Sequence, residues 1–338
     1  MSSHSRILVV GPSWVGDMVM AQSLFITLKE SHSSSRIDVL APEWSFSLLE
    51  RMPEVDGAIP MPLGHGQLGI AARYALGRRL RASAYDQAIV LPNSWKSALV
   101  SFFAAIPKRT GYLGELRWGL LNDARRLDKR ALPMTVQRFV ALGLDAGAPL
   151  PPACPEPKLA IDREQLAVVQ KKFGLIEQAK VLGLCPGAEY GPAKRWPAEY
   201  YADIARRKLD QDWEVWLFGS EKDRQVAAQI NRFTGNACRD FSGGTTLAEA
   251  VDLMSLTDAV VSNDSGLMHV AAALGRKVVA IYGSSDPGFT PPLGGRTRVI
   301  SLGLDCSPCF ERECPLGHYN CLKMVRPEQV MAALDAGA

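Results

Sequence analysis

Short β-branched runs alternate with helix-period segments along almost the whole chain. Residues 6–10 form the first apolar run, a turn follows with glycines at Gly11 and Gly16, and a helix is expected next through Met18, Met20, Leu24 and Leu28. Residues 37–40 and 87–91 read as further strands, so the first half has a parallel α/β pattern. Five prolines, Pro149, Pro151, Pro152, Pro155 and Pro157, then interrupt regular structure. The pattern restarts with a strand at 181–185, a turn at Gly187, a helix from about Pro197, a strand at 214–218 and a helix from Glu221. Residues 259–261 hand over to a helix starting near Ser265 and closed by Gly275. Strands at 277–282 and near 298–301 follow, and residues 327–336 are a last helix with Pro327 in its first turn. The expected fold class is α/β, two doubly wound Rossmann-like domains facing a central cleft. Their bounds are 1–150 and 161–338, with a linker at 151–160. Ligands of such sheets sit beyond the carboxyl ends of the strands, so the turns at Gly16, Gly187 and Gly266 should converge on the cleft.

Composition narrows the class of molecule. With 338 residues, 47% of them apolar and 22% charged, the chain can bury two cores and is not a disordered protein. A formal net charge of +3 does not by itself imply nucleic-acid binding, and no nucleic-acid partner is expected. The charge is uneven, however: between Arg51 and Arg130 thirteen Lys or Arg stand against six Asp or Glu. This stretch is expected to attract an anionic partner or a membrane surface, although solvated helix faces account for part of it. No run of eighteen or more apolar residues occurs, and the start of the chain lacks a secretion leader, so the expected location is the cytosol. Seven cysteines in that setting imply reduced thiols or metal rather than a disulfide framework.

The three turns carry the candidate chemistry. At the third, Ser265 and Gly266 open a helix whose first amides lack intrahelical partners, and their small side chains let a phosphate oxygen approach. A carboxylate in line with that phosphate would repel it, so Asp264 is expected to cap the helix or bond a sugar hydroxyl beside the phosphates. A purely structural cap by Asp264 and Ser265 is the competing reading. At the second turn, Lys194 is placed to neutralise a diphosphate leaving group, worth on the order of 2–4 kcal/mol in the transition state, with Arg195 beside it. A solvated Lys-Arg pair is the alternative. Glu221, at a strand-to-helix junction, suits the hydroxyls of a ribose or a helix cap. At the first turn, Asp17 could take a proton from a sugar hydroxyl, or only stabilise the helix it opens. The spacing of Gly11 and Gly16 is not a dinucleotide fingerprint, and no Gly-x-x-x-x-Gly-Lys-Ser/Thr segment exists, which disfavours nicotinamide enzymes and P-loop nucleotidases. Cys306, Cys309, Cys314 and Cys321 lie within sixteen residues and could form a structural zinc or iron–sulfur cluster, or simply be buried thiols.

Seven segments, GPSWVGDMVMAQSL, MPEVDGAIPMPLGHG, LPNSWKSALV, GLLNDARRLDKRALP, CPGAEYGPAKRWP, LFGSEKD and VSNDSGLMHVAAALGRKVVAIYGSSDPGFTPPL, span the chain from about residue 6 to residue 293. On them the sequence resembles the ADP-heptose:lipopolysaccharide heptosyltransferase family, in its heptosyltransferase II branch. The resemblance implies a GT-B architecture and inverting transfer of L-glycero-D-manno-heptose from ADP-heptose to the first heptose of heptosyl-Kdo-lipid A. It also implies peripheral contact with the cytoplasmic surface of the inner membrane, and no required cofactor or catalytic metal. Carried over by position, Asp17 is the base, Lys194 the phosphate-binding cation and Glu221 the ribose-binding carboxylate. Asp264, Ser265, Gly266 and, one turn on, His269 fall on the donor motif, with packing an equal reading for His269. Asn93, Ser94, Lys96 and, less directly, Arg117 are the acceptor candidates. Heptosyltransferase I shares the donor turns and remains an alternative, as does a non-catalytic sugar-nucleotide-binding module.

Overall fold

The computed structural model describes residues 5–64, 66–175 and 179–336. The chain divides into two compact units, Met1–Pro157 and Lys158–Ala338.

In the first unit six strands form one sheet: β1 (Arg6–Val10), β2 (Arg36–Ala41), β3 (Gly57–Pro60), β4 (Gln87–Val90), β5 (Lys108–Tyr112) and β6 (Asp123–Arg125). Its order is β3-β2-β1-β4-β5-β6, and every pair is parallel. The central strand is apolar on both faces, with Leu8 and Val9 fully buried, because helices cover the sheet on both sides. These helices are α1 (Val15–Ser31), α2 (Phe46–Leu49), α3 (Ile70–Leu80), α4 (Leu99–Phe103) and α5 (Thr135–Gly143). Helix α1 buries Met18, Val19, Met20, Ala21, Leu24 and Phe25, side chains spread around more than one face, as a helix wedged between the sheet and α5 must.

The second unit repeats the plan. Its strands are β7 (Val181–Cys185), β8 (Glu214–Leu217), β9 (Arg239–Asp240), β10 (Ala259–Asn263), β11 (Lys277–Ile281) and β12 (Thr297–Ile300), all parallel and ordered β12-β11-β10-β7-β8-β9. Its helices are α6 (Arg163–Lys172), α7 (Ala198–Leu209), α8 (Arg224–Phe233), α9 (Leu247–Ser255), α10 (Gly266–Ala273), α11 (Asn320–Lys323) and α12 (Pro327–Asp335). Counted within each unit, both sheets follow the Rossmann order, with the reversal of winding between β1 and β4 in one and between β7 and β10 in the other. The core of the second unit joins Leu182, Leu184, Val261 and Ile281 of the sheet to Trp196, Tyr201 and Ile204 around α7.

Most expected elements stand within one or two residues of their predicted ends. The short strands β3, β5, β6 and β9 were not expected, because their polar and glycine-rich sequences carry little apolar signal. The helix expected from Glu221 begins instead as a 3-10 turn, Glu221–Asp223, that runs on into α8. Among the described residues no helix is long and apolar enough to cross a membrane.

Candidate functional site

The switch point of the second sheet gathers the loop after β7 and the start of α10. Asn263, the last residue of β10, is fully buried there. Its amide nitrogen donates to the Pro186 carbonyl at 2.7 Å, and its oxygen accepts from the Trp196 amide and the Tyr201 hydroxyl, each at 3.0 Å. One side chain thus ties down both ends of the loop that carries Lys194. At the loop's start Gly187 leaves room for the Asp223 carboxylate, with which any added methyl group would collide.

Lys194 ends a short 3-10 turn, Pro192–Lys194. Its ammonium donates to Asp264 Oδ2 at 2.5 Å and lies 5.0 Å from the centre of the Tyr190 ring. The two charged side chains are 17% and 6% exposed, so each is the other's main compensation for lost water. Asp264 therefore does not cap α10. That task falls to Ser265, whose Oγ accepts from the Met268 amide at 3.4 Å and lies 3.1 Å from Ser262 Oγ. Gly266 is the first helical residue, where amides have no intrahelical acceptor. His269 is buried one turn further. Burial holds its imidazole down to about pKa 4, the charge of Asp264 opposes that shift and Lys194 adds to it. At neutral pH it is an uncharged ring within the field of the ion pair.

The remaining donor candidates make contacts of their own. Ser220 and Asp223 cap the turn after β8, Asp223 Oδ2 accepting from the Ser220 amide at 2.9 Å and its hydroxyl at 2.7 Å. Glu221 is thus released from capping. Its side chain is 74% exposed and pairs with Arg224 at 2.7 Å. Arg195 has no bond to Asp264; it donates to the Ala188 carbonyl at 3.3 Å and lines an open cavity of about 390 Å³ with Trp196, Lys222 and Tyr319.

In the first unit, Asp17 is the acidic residue in the first turn of α1 and is half-buried. Asn93, Ser94 and Lys96 follow β4, the strand beside β1, so both segments leave neighbouring strand ends. Asn93 is exposed, Ser94 and Lys96 are half-buried, and Lys96 donates to the Gly66 carbonyl at 2.8 Å. Arg117 is turned into the fold. It is fully buried, and its guanidinium donates to the carbonyls of Pro92 (2.7 Å) and Tyr112 and to Asn93 Oδ1 at 3.3 Å. It clamps the Asn93 segment, and burial draws its pKa below the usual arginine value.

The four C-terminal thiols lie near one another. Burial and the neighbouring Cys306, Cys309 and Cys314 push the Cys321 thiol up, while backbone amides of residues 316–319 draw Cys314 down. All are free cysteines, and among the described residues no group of three or more His, Cys, Asp or Glu is arranged to hold a metal ion. Sequence reading passed over Asn263 and Asp223, although both lie inside quoted motifs. The signal for Asn263 is a small polar residue at the end of a buried apolar strand, and for Asp223 the Ser-x-x-Asp capping spacing from Ser220.

Comparison with known proteins covers nearly the whole molecule. Residues 73–320 match the model of glycosyltransferase family 9 (heptosyltransferase). The chain is 48% identical over 340 residues to lipopolysaccharide heptosyltransferase 2 of Escherichia coli K12, covering 98% of each. To lipopolysaccharide heptosyltransferase 1 of Pseudomonas aeruginosa it is 25% identical, covering 91% of this chain and 87% of the relative. The solved structure of E. coli ADP-heptose LPS heptosyltransferase II superposes with a TM-score of 0.85 at 45% identity, over 98% of this chain and 97% of that one.

Proposed function

Because the chain belongs to glycosyltransferase family 9, the heptosyltransferases, we propose that it moves L-glycero-D-manno-heptose from ADP-heptose to the first heptose of the lipopolysaccharide inner core, with inversion. The observation that carries the reading is the Lys194–Asp264 pair at the head of α10, on the switch point of the second sheet. A lysine held at a helix start supports pyrophosphate binding, since the cation and the helix amides both favour anionic oxygens. The higher identity to relatives named heptosyltransferase 2 than to the one named heptosyltransferase 1 supports the one-heptose acceptor.

An inverting displacement needs a base for the acceptor hydroxyl and positive charge for the departing group. The first unit offers Asp17 for the first task, beside Asn93, Ser94 and Lys96 for the acceptor. The second offers Lys194 and the start of α10 at Ser265 and Gly266, with Glu221 for the ribose and Asp264 for the donor sugar. Asp17 takes the proton of the acceptor 3-hydroxyl as its oxygen bonds to C1 of the donor, and the bond from C1 to the pyrophosphate oxygen breaks with that electron pair leaving on ADP. With Lys194 and the amides on the pyrophosphate, no metal is required, and chelation should leave the rate unchanged. The acceptor is lipid-borne, so the enzyme works at the cytoplasmic face of the inner membrane by peripheral contact.

The test is to supply ADP-heptose with defined core acceptors carrying no heptose or one heptose, and follow ADP release. Consumption of the one-heptose acceptor alone supports the proposal. Consumption of the heptose-free acceptor would make it the first transferase of the core, and donor binding without ADP release would make it a binding module.

A further inference from the structure

The first unit carries a surface that neither its core nor the transfer chemistry explains. From residue 57 to residue 114 the sequence contains seven Lys or Arg and a single acid, Asp86. That acid is already engaged, accepting from the Arg6 amide at 2.8 Å. Within this segment α3 packs against α4 so closely that a Cβ on Gly77 would stand 2.6 Å from Phe103 Cβ. The seam is aromatic, Tyr74 meeting Phe103 edge-on at 5.2 Å and Phe103 meeting Phe102 at 5.7 Å.

The outward face of this pair is unusual for a solvated surface. Ile70 and Tyr74, one helical turn apart, are 48% and 49% exposed, and Phe102 on α4 is 41% exposed. Arg78 continues the same stripe, and Arg79, Arg81 and Lys108 are exposed around it. Cations in the last turn of α3 suit the helix dipole, and Arg81 Nε caps the Phe103 carbonyl at 2.9 Å, so part of the charge has a structural use. Neither fact accounts for a bulky apolar stripe left in water beside them. Apolar side chains flanked by arginines, on a segment whose single acid is already engaged, match the interfacial zone of a bilayer and its anionic headgroups.

We infer that the α3–α4 face is a docking surface for an anionic phospholipid bilayer, with Ile70, Tyr74 and Phe102 entering the headgroup boundary and Arg78, Arg79, Arg81 and Lys108 meeting lipid phosphates. The inference deepens the functional reading above, because a lipid-borne acceptor is reached from the bilayer surface, and it rests on that reading for its purpose but not for its test.

The test uses the full chain and vesicles of phosphatidylcholine with or without phosphatidylglycerol, in a flotation assay. The wild type should bind only the phosphatidylglycerol vesicles and release at high salt. Arg78→Ala with Arg79→Ala should lower partitioning about 25-fold, at roughly fivefold per cation. Ile70→Ser with Tyr74→Ser should lower it about tenfold. Both pairs should still transfer heptose to a deacylated, water-soluble acceptor at the wild-type rate. Amide hydrogen exchange on the unaltered protein supplies a check that needs no variant, since vesicles should protect residues 68–80 above other surface helices. Wild-type vesicle binding by both pairs, or protection confined to another face, overturns the inference. So does loss of self-association in the variants, which would make the face a contact between two copies. Failure of transfer to every acceptor, with vesicle binding intact, would overturn the functional reading and leave the docking surface standing.

Discussion

The two units are wound alike but hold their candidate residues differently. In the second, Asn263, Asp264 and His269 are buried, Lys194 is ion-paired, and a single amide side chain locks the loop that bears it. In the first, Asn93 is exposed, and Asp17, Ser94 and Lys96 are half-buried on segments that follow strand ends. The difference suits the proposed division of donor and acceptor between the units. A pyrophosphate is small and densely charged, and a site built for it gains from dipoles fixed in advance. A branched, lipid-borne saccharide needs room to enter, and an open rim supplies it.

The contrast is most exposed to test at Asp17. Asp17→Asn should lower turnover by about 10²- to 10⁴-fold while calorimetric affinity for ADP-heptose and the unfolding midpoint stay unchanged. Near-normal turnover would leave Asp17 with a helix-stabilising task only. Lys194→Ala should cost about 10²- to 10³-fold in kcat/KM and also weaken donor binding, because the cation meets the pyrophosphate before and during departure. It should also destabilise the fold, by leaving the Asp264 carboxylate buried without its partner. A variant that lost rate but neither affinity nor stability would erase the distinction between the units.

Smaller effects sharpen the comparison. Asn263→Ala removes the bonds to Pro186, Trp196 and Tyr201, so the unfolding free energy should fall by about 1–3 kcal/mol, with weaker ADP-heptose binding as the Lys194 loop loosens. Substitutions at Ser94, whose side chain caps no helix, should leave the unfolding curve in place. For His269 the sign follows from its depressed pKa, about 4 when folded against an ordinary 6.5. Between those values the unfolded chain binds the extra proton, so stability should fall as pH drops from about 6.5 and level off below about 4. Denaturant midpoints measured across that window, with His269→Gln as control, test it; a slope unchanged by the substitution would place the acid sensitivity elsewhere.

Much of this architecture was legible before any coordinates. β1 and β7 lie where their apolar runs begin and end, and the first amides of α10 follow Ser265 as its capping chemistry implied. The strands β5 and β6, the last two at one side of the first sheet, were not legible, since Lys108-Arg109-Thr110 and Asp123-Ala124-Arg125 become strands only because a neighbouring strand is there to pair with. The site was readable in residue type and not in pairing. Asp264 and Lys194 are 70 residues apart, and no local periodicity tells a carboxylate that it will meet a lysine instead of capping its own helix. Arg117 shows the same limit, because a basic residue beside exposed Leu116 and Trp118 reads as surface until the fold draws its guanidinium under the Asn93 segment.

Each sheet is built from an unbroken stretch of sequence, and neither borrows a strand from the other. Insertions or replacements along the rim of one sheet therefore need no compensating change in the register of its counterpart. A lineage descended from such a chain can trade one recipient sugar for another while inheriting its nucleotide machinery intact.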